Sequence, residues 1–353
     1  MSSERILITG GAGFVGSNIA LFLRDKLPSA DIVCMDNLYR RGSELNVTRL
    51  QAANITFHRG DVRHPDTFPQ TAFDWLIECS AEPSVLAGTN GSPDYLYHSN
   101  LTGLYHCLEK ARLWGSRIIF LSTSRVYPIA RLEAHPWIET ETRFEWQDHG
   151  TAGISSQGVS EALDLTGARS LYGFTKLAGE QLIEEYRAAF GLKAIINRCG
   201  VLAGPWQFGK IDQGVIALWV MSHVFRRPLS YIGYSGLGKQ VRDVLHVADL
   251  CDLLNIQMRD YSEWEGWVGN VAGGHKHSLS LQELTTLCHQ ITGNTVSTTP
   301  IPESRPFDLR IYIGDCSRLF ERTCWRPKRS VADVISDTYE WVRSNQDDLI
   351  SLN

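Results

Sequence analysis

Arg5-Ile6-Leu7-Ile8-Thr9-Gly10-Gly11-Ala12-Gly13-Phe14-Val15-Gly16 is the stretch on which the fold turns. Its first five residues are a short apolar run with β-branched members, and residues 17–27 continue with helical spacing of Ile19, Ala20, Leu23 and Leu27. Strand, glycine turn and helix thus follow one another without a break. Gly10, Gly13 and Gly16 omit a side chain where a tight turn, a close backbone approach to a pyrophosphate and close helix-sheet packing each demand it. Phe14 and Val15 open the helix, whose N–H groups and positive dipole end favour phosphate. A glycine turn alone is also compatible with a purely structural bend. Asp36 argues for a ligand, because it ends the next apolar run 20 residues after Gly16. There a carboxylate accepts hydrogen bonds from the adenosine ribose hydroxyls and repels a 2′-phosphate. The expected cofactor is NAD rather than NADP. Arg40 and Arg41 read as solvated loop charge, able to reach a 2′-phosphate only if their loop folded back.

Outward from this motif, residues 32–35, 55–58, 75–79 and 118–122 read as further strands, with helical patterns between several of them. The run 101–114 reads as a helix, 172–190 as a long helix, and 193–198 as the strand that follows it. Such alternation implies an α/β chain built on a Rossmann-type doubly wound parallel sheet. Beyond residue 200 the elements shorten and Gly, Pro and Trp become frequent, which fits a smaller α/β substrate-binding lobe. The expected division is residues 1–200 with about 234–272 in the dinucleotide-binding domain, and about 201–233 with 273–353 in the discontinuous lobe. Residues 281–291 have helical spacing and no assigned chemistry. The 44 residues between Tyr127 and Tyr172 form a connection with little periodicity, long enough to be functional or disordered.

Composition narrows the partners. No run approaches the ~20 apolar residues needed to cross a bilayer, and the polar start Met1-Ser2-Ser3-Glu4 leads into a strand rather than a signal peptide. A cytoplasmic chain without a membrane partner is expected. The net charge of −5 mixes both signs, without the basic stripe that nucleic-acid binders use. Eight cysteines lie in mostly apolar surroundings without Cys-x-x-Cys or His/Cys ligand spacing, so they read as buried free thiols with no metal. A small-molecule partner is expected.

The chemistry comes from Thr123, Tyr172 and Lys176. A tyrosine serves as a base near neutrality only where positive charge stabilises its phenolate. Tyr172 and Lys176 sit four apart on one helix face, so the ammonium is placed to help. Thr123 ends a predicted strand, where parallel sheets place ligands, and offers a hydroxyl to the same substrate oxygen. Tyr and Lys at this spacing are unremarkable alone; with the glycine turn and Thr123 they imply hydride chemistry at a nicotinamide. Asp61 and Val62 after the third strand are placed for adenine, and Ser80 and Ala81 after the fourth for the nicotinamide side. Asn100 opens the next helix, as a cofactor contact or a plain helix cap.

From residue 6 to about 341 the chain resembles the extended short-chain dehydrogenase/reductases, the nucleotide-sugar epimerases and dehydratases. Within them it looks most like the CDP-paratose/CDP-tyvelose 2-epimerases. The similarity is carried by Asp36-Asn37-Leu38-Tyr39-Arg40-Arg41-Gly42, Ser122-Thr123-Ser124-Arg125-Val126-Tyr127, Glu139-Thr140-Glu141-Thr142-Arg143, Asp212-Gln213-Gly214 and Gly238-Lys239-Gln240-Val241-Arg242-Asp243-Val244-Leu245-His246. The resemblance implies that Thr123, Tyr172 and Lys176 are the catalytic triad and that Asn37 belongs to the NAD site. It puts Cys199, in place of a histidine, where a residue should face nicotinamide or sugar, and Glu82 where relatives carry Gln or Ala. Dehydratases of this kind carry an Asp-Glu pair after the catalytic Thr; Ser124 and Arg125 stand there instead, which leaves epimerisation by transient oxidation at C2 or C4. Arg242 and Arg310 suit bidentate contact with a diphosphate, assisted by Lys239 unless that is solvated charge. Gln207, Asp212 and Gln213 offer polar groups to sugar or ribose, and the neighbouring aromatics a face for a base or else lobe core. The implied partner is a nucleotide sugar, CDP-linked by preference, and the implied assembly a homodimer through the helices at 101–114 and 172–190. A non-catalytic NAD-binding regulator would be expected to lose Tyr or Lys; both are present.

Overall fold

The computed structural model describes residues 4–209 and 213–351. By its contacts the chain forms two compact units, one of residues 1–126, 171–198 and 250–268, the other of 127–170, 199–249 and 269–353.

The first unit is organised by strands β1 (Arg5–Thr9), β2 (Asp31–Asp36), β3 (Thr56–Arg59), β4 (Trp75–Glu78) and β5 (Arg117–Thr123). They pair parallel in the order β5-β4-β1-β2-β3, and strands Ala194–Cys199 and Val268–Val271 extend the β5 edge to seven strands. Ile6, Leu7, Ile8, Leu76, Ile77, Ile118 and Ile119 are fully buried, as expected where helices cover both faces of a parallel sheet. The strand order reverses between β1 and β4, and at such a switch point the loops after the strands diverge and open a ligand crevice.

Helix α1 (Phe14–Lys26) follows the glycine turn; α2 (Ser43–Ala52) follows β2. Helix α3 (Asp94–Tyr97), a π-helical turn at His98–Thr102 and α4 (Gly103–Trp114) form one continuous helical stretch before β5. The helix Leu171–Phe190 buries Tyr172, Thr175, Lys176, Gly179, Glu180 and Ile183, one face at helical spacing. No helix among the described residues is long and apolar enough to cross a membrane.

The second unit has a four-stranded sheet of Val201–Ala203, Val241–His246, Ser278–Ser280 and Ile311–Tyr312, and a parallel pair Leu229–Ile232 with Thr298–Ile301. Its core gathers Ile216, Trp219 and Val220 with Leu284, Cys288, Val334, Ile335 and Val342 from three helices, Val215–Val224, Leu281–Thr292 and Val331–Ser344. The Leu281–Thr292 helix starts on a capping box between Ser280 and Glu283, which satisfies two N–H groups that a helix start otherwise leaves open.

Three sequence expectations change here. The segment before Tyr172 is ordered rather than irregular: it holds helix Ile129–Ala134, a hairpin of Trp137–Glu139 with Phe144–Trp146, and a second pair, Ile154–Ser155 with Gly158–Val159. Short two- and three-residue strands carry too little alternation to be seen as a period. Residues 127–170 and 234–249 group with the second unit, unlike the expected lobe boundaries: Asn270 binds Tyr127 Oη, Glu161 Oε1 and the Val159 carbonyl, Val159 exchanges bonds with Ile313 and Asp315, and Val241–His246 pairs with Val201–Ala203, Ser278–Ser280 and Ile311–Tyr312. Cys324 is exposed, and Cys79 half-buried, whereas the other six thiols are buried.

Candidate active site

The glycine turn is built by exclusion. A Cβ on Gly10, whose φ is +63°, would stand 2.8 Å from the Cys79 carbonyl and the Ser80 nitrogen, and one on Gly16 would stand 2.3 Å from the Gly10 oxygen. Both obstacles are backbone and cannot swing aside. Gly13 caps α1 without any side-chain hydrogen bond, so the first N–H groups of the helix, at Phe14 and Val15, are presented as an anion site. Asp36 ties β2 to this turn: its Oδ2 accepts the Ala12 N–H at 3.1 Å and its Oδ1 the Leu38 N–H at 2.8 Å. Burial pushes its carboxyl up, against the backbone N–H groups that hold it. These residues suit a dinucleotide: a cradle that any Cβ would fill, an uncapped helix start and a carboxylate beside it.

Around Asp61, Asn37 Nδ2 donates at 3.0 Å and Arg63 forms an ion pair at 2.6 Å. Burial pushes Asp61 up, but Arg63 and Asn37 outweigh it and hold the carboxyl down at about 2. Arg63 also lies over the Tyr95 ring, on which exposed Tyr39 stacks with centroids 4.2 Å apart. Val62 is buried and packs where a Cβ on Gly103 would stand.

Asn100 is not a helix cap. It lies inside the helical stretch, in the π-turn, where such turns commonly mark functional sites. Its Oδ1 accepts the Glu82 N–H at 2.8 Å, and its Nδ2 donates to the Glu82 carbonyl at 3.1 Å and to Thr175 Oγ1 at 3.0 Å. Asn100 is therefore a clamp that holds the loop after β4 to the helix carrying Tyr172. The Glu82 carboxylate accepts the Ser84 N–H at 3.0 Å and so shapes that loop. Ser80 gives its hydroxyl proton to Glu78, and Ala81 beside it is half-buried.

Thr123 ends β5, 8% exposed, and its Oγ1 accepts the Arg125 N–H at 3.2 Å. With that acceptance made by the backbone, the threonine proton is left to donate. Ser124, buried, and Arg125, half-buried, form the short helical turn that follows. Tyr172 lies in the first turn of its helix, 9% exposed. Lys176 is 3% exposed, its Nζ 4.4 Å from the Phe120 ring centroid and 3.7 Å from Glu78 Oε2. One turn further, Glu180 binds Arg198 at 2.7 Å and accepts the Ser122 hydroxyl. Triad and buried charges thus belong to one unit.

The expected substrate residues of the second unit are described on their own. Arg242 donates to Asp308 Oδ1 at 2.8 Å and to the Val241 and Leu309 carbonyls. Arg310 pairs with Glu133 at 3.3 Å inside a cage of Trp137, Phe144 and Tyr234, and its buried Nε has no hydrogen-bond partner among the described residues. Burial, then Glu133 and Asp308, push the Tyr234 hydroxyl up, which places both arginines and both carboxylates around one phenol. Lys239 is neither solvated nor with them: it binds Glu139 Oε1 and the Thr140 carbonyl, each at 2.8 Å. Gln207 Nε2 donates to the Leu202 carbonyl, and Gln213 is half-buried. Asp212 lies outside the described residues. Trp206 and Phe208 are half-buried and pack on Trp341. Cys199 is buried at the end of its strand.

Sequence reasoning missed Glu78, Ser122, Glu180 and Arg198, and also Glu133, Tyr234 and Asp308 around the arginines. Glu78 carried a visible signal, a charge inside the apolar run Trp75-Leu76-Ile77, and Glu180 sits at helical spacing from Tyr172 and Lys176.

A doubly wound sheet with a glycine cradle, a carboxylate beside it and a buried Tyr-Lys pair defines an NAD-dependent enzyme of the dehydrogenase type. The chain belongs to the NAD dependent epimerase/dehydratase family, whose model matches residues 6–272. CDP-paratose 2-epimerase of Salmonella typhi is 31% identical over 351 residues, covering 96% of this chain and 99% of that one. UDP-glucose 4-epimerase of Erwinia amylovora is 26% identical, covering 96% and 98%. The solved structure of UDP-glucose 4-epimerase from Bifidobacterium longum in complex with NAD+ and UDP superposes with a TM-score of 0.80 at 22% identity, covering 97% of this chain and 99% of that one, a likeness of fold.

Proposed function

We propose that this protein is a nucleotide-sugar 2-epimerase acting on a CDP-linked sugar of the paratose/tyvelose type, in the supply of surface-polysaccharide precursors. The observation that carries the proposal is the end-to-end similarity to CDP-paratose 2-epimerase at 31% identity. Two features of the site support it. Tyr172 and Lys176 are buried on one helix face, and Ser124 and Arg125 stand after Thr123, so no acid-base pair is available there to eliminate water.

Tyr172, as phenolate, accepts the proton of the sugar hydroxyl that is to become a carbonyl. Thr123, its oxygen already engaged by the Arg125 N–H, donates to that same oxygen and holds it against Tyr172. Lys176 supplies the positive charge that stabilises the phenolate. NAD, which the cradle of Gly10, Gly13 and Gly16 with Asp36 would hold, would supply the hydride acceptor for oxidation of the sugar carbon and the donor for its reduction from the other face. Tyr172 then gives its proton back, and no residue changes state over the cycle.

For the nucleotide end, Arg242 and Arg310 remain the diphosphate candidates; each would exchange part of its bonding to Asp308 or Glu133 for phosphate oxygens. Gln207, Gln213 and Cys199 are proposed as lesser contacts. Tyr105, Leu113, Phe174 and Phe190 are exposed on α4 and the Leu171–Phe190 helix, which supports a homodimer through these helices.

Incubation with CDP-, UDP-, GDP- and dTDP-sugars in deuterium oxide tests the reading. Inversion at C2 of a CDP-sugar without deuterium uptake is expected; inversion at C4 makes it a 4-epimerase, and deuterium at the inverted carbon refutes transient oxidation. Tyr172→Phe should abolish turnover and leave NAD binding intact, and full activity in that variant would end the triad assignment.

A further inference from the structure

Lys176 is given a partner that the triad does not call for. Glu78, the last residue of β4, is 2% exposed, and its Oε2 lies 3.7 Å from Lys176 Nζ. Its Oε1 is held by the Ser80 hydroxyl, whereas Oε2 has no hydrogen-bond partner among the described residues. Leaving a buried carboxylate oxygen at ion-pair distance but outside hydrogen-bond distance is costly. A purely structural pair would close that gap.

We propose that Glu78 is a positioning residue: held by Ser80, it fixes the Lys176 ammonium between itself and the Phe120 ring and sets how much of that positive charge Tyr172 feels. This rests on the triad reading above. The other groups packed against Lys176 do not duplicate the effect. From its own helix come Tyr172 and Glu180, and Glu180 is matched by Arg198 at 2.7 Å. From α4 comes Cys107, a buried thiol pushed well up by burial and by Glu78, hence neutral. From β5 comes the Phe120 ring, which carries no charge. Burial also pushes Glu78 up, with Lys176 the main opposing influence.

The consequence is a buffered catalyst. With Glu78 ionised, the net charge beside Tyr172 is close to zero. Without it, the ammonium acts alone and the phenolate becomes easier to form, by about one pH unit or tenfold in acidity for an uncompensated charge at this range.

The phenolate itself provides the readout, and no substrate is needed. The near-ultraviolet phenolate absorbance of the NAD-loaded protein is titrated with pH, and the same titration of the matching Tyr172→Phe protein is subtracted, which removes the other tyrosines. Glu78→Gln, which keeps the acceptor for Ser80 and removes the charge, should move the Tyr172 midpoint about one unit lower, and Glu78→Asp should move it back. Ser80→Ala, which frees Glu78 to close on Lys176, should move it upward. A midpoint unmoved in Glu78→Gln and in Ser80→Ala overturns the proposal, and where Glu78→Gln fails to fold, the Ser80→Ala midpoint alone decides. If subtraction leaves no Tyr172 signal below the range of ordinary phenols, the triad reading fails instead, so the two failures are distinguishable.

Discussion

Replacing Glu180 with Ala should destabilise this protein more than any other change to the charged groups under the catalytic helix. Glu180 accepts two bonds from Arg198 Nε at 3.1 Å, one from Arg198 Nη2 at 2.7 Å and one from the Ser122 hydroxyl. Both side chains are under a tenth exposed, so little water can replace these contacts. Removing one member of a buried pair typically costs ~3–5 kcal/mol, because the remaining charge is left buried and uncompensated. Over 353 residues, at about 2.1 cal/mol/K per residue, the unfolding entropy is ~0.7 kcal/mol/K, so ~4 kcal/mol lowers Tm by about 5 °C. The assay is calorimetry of the NAD-free protein for wild type, Glu180→Ala, Arg198→Met and the double variant. Since the penalty belongs to the unmatched charge, the double variant should recover more than half of the loss seen in Glu180→Ala. A loss below ~1 kcal/mol, or a double variant no better than the single, would refute the reasoning.

Other perturbations follow from the same geometry. Asp36→Asn removes the charge proposed to meet the ribose while retaining an acceptor for the glycine turn; NAD affinity should fall roughly tenfold or more, as for a lost charge-assisted hydrogen bond, and preference over NADP should narrow, both read by fluorescence titration. Equal losses for the two dinucleotides would show that Asp36 acts only on the turn. Asp243 is fully buried, accepts the Gly274 and Gly314 N–H groups, and burial pushes its carboxyl up to about 6. A raised acid binds its proton more tightly folded than unfolded, so its contribution favours folding below pH ~4 and is lost as pH rises to about 6. The stability of Asp243→Asn relative to wild type should therefore grow across that window by up to ~3 kcal/mol and then level off; urea titrations giving a flat difference would contradict it.

The sheet was legible because its strands are continuous apolar runs punctuated by glycine and carboxylate, signals that depend only on neighbours in sequence. Arg5–Thr9 was read to the residue, and the helix at Tyr172 to within one, since burial on one face imposes a period. The hairpin holding Trp137 and Phe144 was not legible, because strands of three residues are made by the contacts they enter rather than by their own pattern. Asn100 was misread as a helix start for a related reason: a π-turn continues the helix without altering composition, and its effect on side-chain direction exists only in three dimensions. The glycine turn, Asp36 and the Thr123, Tyr172 and Lys176 set were visible because their spacing follows the order of strand ends and helix starts in the sequence. Lys239 could not be told apart from Arg242 and Arg310 in sequence, since which basic group meets a carboxylate depends on residues about 100 positions away, such as Glu139.

Four buried charges lie along the face that carries Tyr172, and their arrangement separates structure from catalysis. Lys176, Glu78, Glu180 and Arg198 sum to zero, as burial in a weakly polarisable interior requires. They are not paired alike. Glu180 and Arg198 meet at 2.7 Å, with both carboxylate oxygens engaged, and the pair sits at the second turn beyond Tyr172. Lys176 and Glu78 stand 3.7 Å apart with one oxygen unengaged, and that pair lies one turn from the phenol. If stability alone governed, both pairs would be tight, because each unmet bond in the interior costs free energy. The looseness falls on the pair whose cation is proposed to act at Tyr172. A lysine locked into its carboxylate would have its charge cancelled at the phenol and its donors consumed. A gap of this size leaves the charge of Lys176 available to Tyr172, so on the proposed triad reading the proton-transfer function is better sought in the Glu78–Lys176 spacing than in the triad residues taken alone.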